Sequence, residues 1–153
     1  NIFRAPYLGI DRELKQRVLD KNIDAELDPE KTNLVLPGFI HKKKGFDKVV
    51  EVMPELLEEI DDLHLTFAGG LHRTNSSEYL DGIKKRIEEL GIEEYVTITG
   101  LLPTEDHVNQ YIIEADAVAL PFEEISQSAT LTKTLALGTT PVDTPLETLK
   151  PAI

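Results

Sequence analysis

Residues 34–45 read LVLPGFIHKKKG: an apolar run, a glycine, three lysines and a second glycine. The apolar run has the length of a β-strand, and the glycine marks its end. An amphipathic pattern follows, in which Val49, Val52, Leu56 and Ile60 recur at helical spacing. A strand, a glycine loop and a helix in this order are typical of the first unit of a parallel α/β sheet.

The same unit recurs along the chain. Further strand-like runs end at glycine or proline: Leu63 to Phe67 before Gly69 and Gly70, Val96 to Ile98 before Gly100, and Ala117 to Leu120 before Pro121. Two more helical stripes occupy 80–90, with Gly91 as a candidate C-cap, and 108–115, with Thr104 as a candidate N-cap. We therefore predict an α/β fold, a Rossmann-like parallel sheet of about five strands flanked by helices. Pro54 should kink or split the first helix, and residues 12–22 should form a flanking helix.

Composition narrows the function classes. The chain has 153 residues, about one domain, with 28 acidic and 16 basic side chains and a formal charge of −12. This charge repels phosphate polymers, so we expect no nucleic-acid partner. The chain has no cysteine and no apolar stretch long enough to span a bilayer. We expect a cytoplasmic protein, with the cytosolic face of a membrane as the alternative location.

The first candidate site is the loop between Gly38 and Gly45. The glycines let the backbone approach a ligand, the cations between them suit an anion, and the helix beginning near Phe46 adds its positive end. A solvated lysine-rich loop is the competing interpretation. Among the four histidines, only His41 lies in a candidate site, and their spacing predicts no metal site.

A second candidate site is the segment 123–130, which leads into an apolar helix over 131–137 closed by Gly138. Small hydroxyl residues at a helix start leave backbone N–H groups ready to bind phosphate. Simple N-capping by Ser126 or Ser128 explains them as well. A third signal, the glycine pair 69–70, fits a ligand approach and a tight turn equally.

In this order the segments resemble the C-terminal, donor-binding domain of GT-B fold, family 4 type retaining glycosyltransferases. The resemblance covers about residues 33–142. The matching blocks are GFIHKKKG at 38–45, LTFAGG at 65–70, VTITGLLP at 96–103, ADAVALP at 115–121 and the closing GTTPV at 138–142. Each block alone is weak, and the order and spacing of all of them make the match specific.

The resemblance implies a nucleotide-sugar partner, a UDP-, GDP- or ADP-sugar, with no cofactor and no metal. It implies that residues 1–32 are an interdomain segment with a flanking helix, and that 33–153 are the nucleotide-sugar-binding domain, incomplete at its C-terminus. The acceptor, which can be membrane-associated, would be bound by an N-terminal domain of the same protein. We therefore expect this fragment alone to be inactive.

The resemblance also assigns roles to residues. It places the catalytic glutamate at Glu123 or Glu124. The residues that it places against the donor are Gly38, His41, Lys44, Gly69, Gly70, Leu101, Leu102, Ser126, Gln127, Ser128, Ala129, Thr130 and Lys133. We expect His41 and Lys44 to face the crevice that holds 126–130, and a partly apolar interdomain surface near Gly38, Gly69 and Phe122.

The chain departs from the family pattern at four positions. Phe39 stands where many members have arginine, and His41 stands where a branch with Gly-Phe-Ile-Arg has arginine. Ala129 replaces the glycine of a Gln-Ser-Gly phosphate loop, and Lys133 replaces a ribose-binding glutamate. The changes at Ala129 and Lys133 favour the alternative function, a non-catalytic nucleotide or sugar-phosphate binding module of the same fold. A receiver-like regulatory domain is disfavoured, since its acidic strand ends are absent.

Overall fold

A computed structural model of the chain describes residues 13–72, 76–120 and 128–143. In this part of the chain, helices and strands alternate after a short first helix. The elements are α1 (Leu14–Leu19), β1 (Thr32–Pro37), α2 (Phe46–Glu59), β2 (Leu63–Ala68), α3 (Glu78–Leu90), β3 (Val96–Ile98), α4 (Glu105–Glu114), β4 (Ala117–Leu120), α5 (Ser128–Ala136) and β5 (Pro141–Asp143). Short 3-10 turns at Lys42–Lys44 and Glu93–Tyr95 precede α2 and β3.

The strands form one five-stranded sheet in the order β3-β2-β1-β4-β5. Every pairing is parallel, with Leu34 opposite both Leu65 of β2 and Ala117 of β4. The predicted Rossmann-like fold is therefore confirmed. The chain order reverses between β1 and β4, and ligands of open α/β sheets bind beyond the strand ends at such a point.

One face of the sheet carries the larger hydrophobic core. Alternate residues of β1 and β2, among them Leu36 and Leu65, point into it and meet the apolar sides of α2 and α3. The rings of Phe46 in α2 and Phe67 in β2 lie 5.1 Å apart between centroids, and both residues are 1% exposed or less. This contact fixes α2 against the centre of the sheet.

The opposite face has a second core near β4. Val118 and Leu120 pack there with Ile112 of α4, Leu137 and Val18 of α1. The two cores are built from alternate residues of the same strand, because Ala117 and Ala119 belong to the first. The sheet is thus covered on both faces at its middle, as a parallel sheet requires.

Two predicted caps are confirmed. The Thr104 hydroxyl accepts a hydrogen bond from the His107 amide at the start of α4, and Gly91 ends α3 in the left-handed conformation with φ 69°. The predicted split of the first helix at Pro54 is wrong, because α2 continues through Pro54 without interruption. Burial of Val50 and Met53 on the core side of the helix holds it together across the missing hydrogen bond.

Helix boundaries differ from prediction at both ends of the chain. The flanking helix α1 ends at Leu19 and does not reach Asn22 as predicted. The backbone φ of Asn22 is 50°, which lies outside the helical range. Helix α5 begins at Ser128, three residues before the predicted 131, and ends at Ala136. The small polar residues 128–130 are therefore helical.

We expect Phe67→Ala to lower the free energy of unfolding by about 3–5 kcal/mol, the usual cost of removing a buried phenylalanine ring. Urea denaturation measures this directly. Phe39→Ala is the matched control, since Phe39 is 47% exposed and its loss should cost less than about 1 kcal/mol. Equal losses for the two variants would contradict the packing described.

Candidate functional site

The candidate site is the edge of the sheet where the strands end. The loop 38–45 follows β1, the glycine pair follows β2, and the segment starting at Gly100 follows β3. Helix α5 is reached from the end of β4, the strand beside β1. The loop 38–45 thus lies at the point where strand order reverses, whereas residues 123–127 of the second candidate segment lie outside the described residues.

The glycine pair brings three loops into backbone contact. A β-carbon at Gly69 would lie 2.1 Å from the carbonyl oxygen of Gly38, and Gly69 has φ 154°. A β-carbon at Gly70 would lie 2.6 Å from the backbone nitrogen of Leu101. The space above these glycines is therefore filled by neighbouring loops, which favours their structural interpretation. Their predicted donor contact stays a prediction.

Hydrogen bonds join the same loops. The amides of Gly38 and Ile40 donate to the carbonyls of Ala68 and Gly70, at 3.0 and 2.9 Å. The Thr99 hydroxyl accepts from the Gly69 amide at 3.0 Å and donates to the carbonyl of Gly100 at 2.8 Å. The strand ends are consequently held at fixed distances from one another, and the site is built on rigid elements.

Lys44 folds back over this junction. Its Nζ atom lies 3.1 Å from the position that a β-carbon would take at Gly38, and the residue is half-buried. Burial lowers the pKa of Lys44, and the positive charge of Lys133 lowers it further. A partly desolvated ammonium close to a second cation stabilises a bound anion.

Lys133 reaches the same region from α5. Its Nζ atom donates to Glu105 Oε1 of α4 at 2.5 Å, and its side chain is 27% exposed. Its positive charge acts on Lys44 and lowers the pKa of that group. The predicted donor contact of Lys133 stays a prediction, and the sequence did not predict its partner Glu105, which comes from another element.

His41 has a local structural role. Its Nδ1 atom accepts from the Lys43 amide at 3.1 Å and caps the 3-10 turn. It also lines a cavity of ≈ 200 Å³ beside Tyr79 of α3. The crevice that His41 was expected to face contains residues outside the described ranges, so its donor contact stays a prediction.

The start of α2 is less electropositive than the sequence suggested. Asp47 lies in its first turn, where a carboxylate compensates the helix dipole. The Tyr79 hydroxyl donates to Asp47 Oδ1 at 2.5 Å and accepts from the Asp47 amide at 3.1 Å. Burial, with this carboxylate beside it, raises the pKa of Tyr79, so the hydroxyl stays protonated.

Several predicted residues have limited or no description. Glu123, Glu124, Ser126 and Gln127, with Phe122, lie outside the described residues, and Ser128 and Ala129 are described only as members of α5. Thr130 is half-buried in the first turn of α5, and Leu102 is half-buried after β3. These residues keep their predicted roles untested.

Apolar side chains are exposed at the same edge. Phe39 is 47% exposed and Leu101 is 61% exposed. The Phe39 ring meets the His72 ring edge-on, with centroids 5.0 Å apart. The interdomain surface that we expect at this edge stays a prediction.

The described ranges contain neither a candidate metal site nor a candidate membrane-spanning helix. These residues contain no group of three or more His, Cys, Asp or Glu side chains arranged to hold a metal ion. The described helices are all too short or too polar to cross a bilayer.

We expect Gly69→Ala to destabilise the fold by at least about 2–3 kcal/mol, because the new β-carbon collides with the backbone of the Gly38 loop. Thermal unfolding followed by circular dichroism measures the loss. Gly82→Ala is the control, since no atom lies within 4 Å of a β-carbon there and α3 gains a better helix former. A Gly69→Ala protein as stable as the parent would show that the loops are not in contact.

Comparison with solved structures reveals the same fold in several glycosyltransferases. The C-terminal domain of a glycosyl transferase group 1 family protein, LpcC, from Francisella tularensis superposes with a TM-score of 0.63 at 17% identity, covering 84% of this chain and 63% of that one. A glycosyltransferase from Rickettsia africae gives 0.64 at 14%, covering 92% and 35%. HepE from Anabaena, solved with UDP-glucose, gives 0.66 at 14%, covering 87% and 36%.

The chain thus spans about a third of the two longer proteins. No significant match occurs among curated protein sequences. The family described as glycosyl transferases group 1 matches residues 20–144, which is most of the chain and includes every described strand. Together with the sheet order and the loops at its carboxyl edge, this match shows that the chain belongs to the group 1 glycosyl transferase family.

Proposed function

We propose that this chain is the donor-binding domain of a glycosyltransferase, and that it binds the diphosphate of a nucleotide sugar between the loop 38–45 and α5. The observation that carries the proposal is the position of Lys44. Its half-buried ammonium lies over Gly38 at the strand-order reversal and near Lys133. Two cations meet there in a chain whose formal charge is −12.

A diphosphate suits this arrangement better than a single carboxylate does. Each ammonium can donate to a different phosphate oxygen, and the bound charge relieves the repulsion between Lys44 and Lys133. Because Glu105 already neutralises part of the charge of Lys133, Lys44 is the main anion contact and Lys133 the auxiliary one.

Helix α5 supplies the second half of the proposed phosphate site. The first backbone N–H groups of a helix have no partner within it, and Ser128 to Thr130 form the first turn of α5. These donors, with the positive end of the helix dipole, bind phosphate in many α/β proteins. The structure of HepE with UDP-glucose supports a nucleotide sugar as the ligand class.

The proposed reaction is sugar transfer without a metal ion. When the bond between the sugar and the diphosphate breaks, negative charge builds on the leaving phosphate oxygen, and Lys44 with the α5 amides stabilises it. The proposal includes retention of configuration, a catalytic role for Glu123 or Glu124, and an acceptor bound by another domain. It also includes a cytoplasmic location, where nucleotide sugars would be available.

We expect Lys44→Ala to weaken binding of the preferred nucleoside diphosphate by about 1.5–3 kcal/mol, the range for a hydrogen bond to a charged group. Calorimetric titration of the full chain with UDP, GDP and ADP identifies the preferred nucleotide and measures the change. Lys42→Ala is the control, because Lys42 is exposed two residues away and should leave affinity within about twofold.

The pH dependence gives a second test of Lys44. Because its pKa is lowered, Lys44 loses its proton at a lower pH than a free lysine. Diphosphate affinity should therefore fall as pH rises through that lowered pKa, and the fall should disappear in Lys44→Ala. If none of the three nucleotides binds, or if Lys44→Ala and Lys42→Ala behave alike, the proposed site is wrong.

A non-catalytic nucleotide-binding module is the second candidate function, and Lys133 is the observation that favours it. A lysine cannot accept hydrogen bonds from ribose hydroxyls as a glutamate does. If transfer nevertheless occurs in the full-length protein, Lys133 serves the phosphates. Measurement of donor turnover by that protein separates the two candidates.

We expect Lys133→Glu to weaken nucleoside diphosphate binding by about tenfold, since a cation near the phosphates becomes an anion. The same change should raise the pKa of Lys44, because a repelling charge is replaced by an attracting one. Calorimetry and NMR titration of the lysine measure both effects. Unchanged affinity and an unchanged Lys44 pKa would place Lys133 outside the site.

A further inference from the structure

The loop that carries Lys44 is anchored at both of its ends. At the first end, the amides of Gly38 and Ile40 donate to backbone carbonyls of the segment 68–70. At the second end the chain turns at Gly45 into α2, and Lys44 stands directly before this turn. The position of the Lys44 side chain therefore depends on what holds the start of α2.

Gly45 gives α2 no side-chain cap. It is buried and adopts the left-handed conformation with φ 71°, which glycine tolerates best. The first N–H groups of a helix have no partner within it, and a serine, threonine, aspartate or asparagine at the cap normally accepts from one of them. Because glycine has no side-chain acceptor, a side-chain cap for α2 has to come from another element.

Tyr79 of α3 supplies this cap. Its hydroxyl oxygen accepts from the Asp47 amide at 3.1 Å and donates to Asp47 Oδ1 at 2.5 Å. Burial and then the Asp47 carboxylate raise the pKa of Tyr79, so the hydroxyl keeps its proton at pH 7 and both bonds persist. The half-buried Tyr79 ring packs against the core between the sheet and α2 and α3. One side chain thus caps α2 and ties its first turn to α3.

The same contact determines where the Asp47 carboxylate lies. Asp47 is the carboxylate closest to Lys44 along the chain, and opposite charges at short range attract each other. Tyr79 holds this carboxylate, and the Lys44 ammonium lies instead beside Gly38, 3.1 Å from the position of a β-carbon there. Burial and then the charge of Lys133 lower the pKa of Lys44, whereas pairing with a carboxylate would raise it.

We propose that Tyr79 is a positioning residue for Lys44, because it fixes the start of α2 and holds the Asp47 carboxylate away from the lysine. Phe46 fixes the core side of the same turn by burying its ring, whereas Asp47 is exposed and is held by Tyr79. The role rests on the proposed function, in which Lys44 is the main anion contact. Tyr79 acts on the ligand only through that lysine.

Tyr79→Phe removes the hydroxyl and keeps the ring that packs against the core. We expect the pKa of Lys44 to rise toward that of a free lysine, because water reaches the ammonium in a loosened loop and the released Asp47 carboxylate can approach it. NMR titration of the lysine side chain measures this pKa without any nucleotide. Tyr95→Phe is the matched control, since Tyr95 precedes β3 at the other edge of the sheet and its hydroxyl pairs with Glu94. Its Lys44 pKa should match that of the parent.

Binding to the full chain gives the second measurement. Tyr79→Phe should weaken the preferred nucleoside diphosphate among UDP, GDP and ADP by about three- to tenfold, as expected when one charged contact is misplaced. A double-mutant cycle with Lys44→Ala separates positioning from general damage to the fold. If Tyr79 acts through Lys44, Tyr79→Phe causes no further loss once residue 44 is alanine. A purely structural role of the hydroxyl predicts the same loss in both backgrounds.

Three results would overturn the proposal. One is an unchanged pKa of Lys44 in Tyr79→Phe, and another is an unchanged affinity for the nucleoside diphosphate in that variant. The third is an equal loss of affinity from Tyr79→Phe in the parent and in Lys44→Ala. Failure of all three nucleotides to bind would count against the proposed function, and the pKa of Lys44 alone would then decide whether Tyr79 positions the lysine.

Discussion

The backbone contact at Gly69 and Gly70 is the constraint on which the site depends. Side chains at these positions would separate the loops after β1, β2 and β3, since each β-carbon would lie within 3 Å of another loop's backbone. The contact holds the Gly38 loop in place, and the Nζ atom of Lys44 lies close to Gly38. The two glycines thus shape the proposed ligand site indirectly, by positioning other loops.

Electrostatics then distinguish two regions of one acidic domain. At the carboxyl edge of the sheet, Lys44 is half-buried, and the positive charge of Lys133 acts on it. On the sheet face opposite α2 and α3, carboxylates line a cavity together with uncharged hydrogen-bonding groups. The net charge of −12 therefore does not predict the local charge in either region. In partly buried regions, charges at short range act more strongly than the distant charges of the rest of the chain.

The sequence predicted the fold well because its signals are local. Apolar runs ending in glycine, the Thr104 cap and the Gly91 cap each depend on neighbouring residues. The predicted split at Pro54 was wrong because the packing of α2 against the sheet, which is nonlocal, outweighs the local tendency of proline to break a helix. The pairing of Lys133 with Glu105 joins residues 28 positions apart in the chain, so local sequence patterns could not predict it.

The most direct test of the account maps a nucleotide onto the domain by amide NMR. With the nucleoside diphosphate that binds best, the account predicts the largest shifts in the loop 38–45, at the start of α5 and after β3 near Leu101. Amides at the opposite edge of the sheet, such as those of Thr32 and Asp116, should not shift. Shifts concentrated at that opposite edge, or no shifts with any nucleoside diphosphate, would contradict the claim that this is a donor-binding domain.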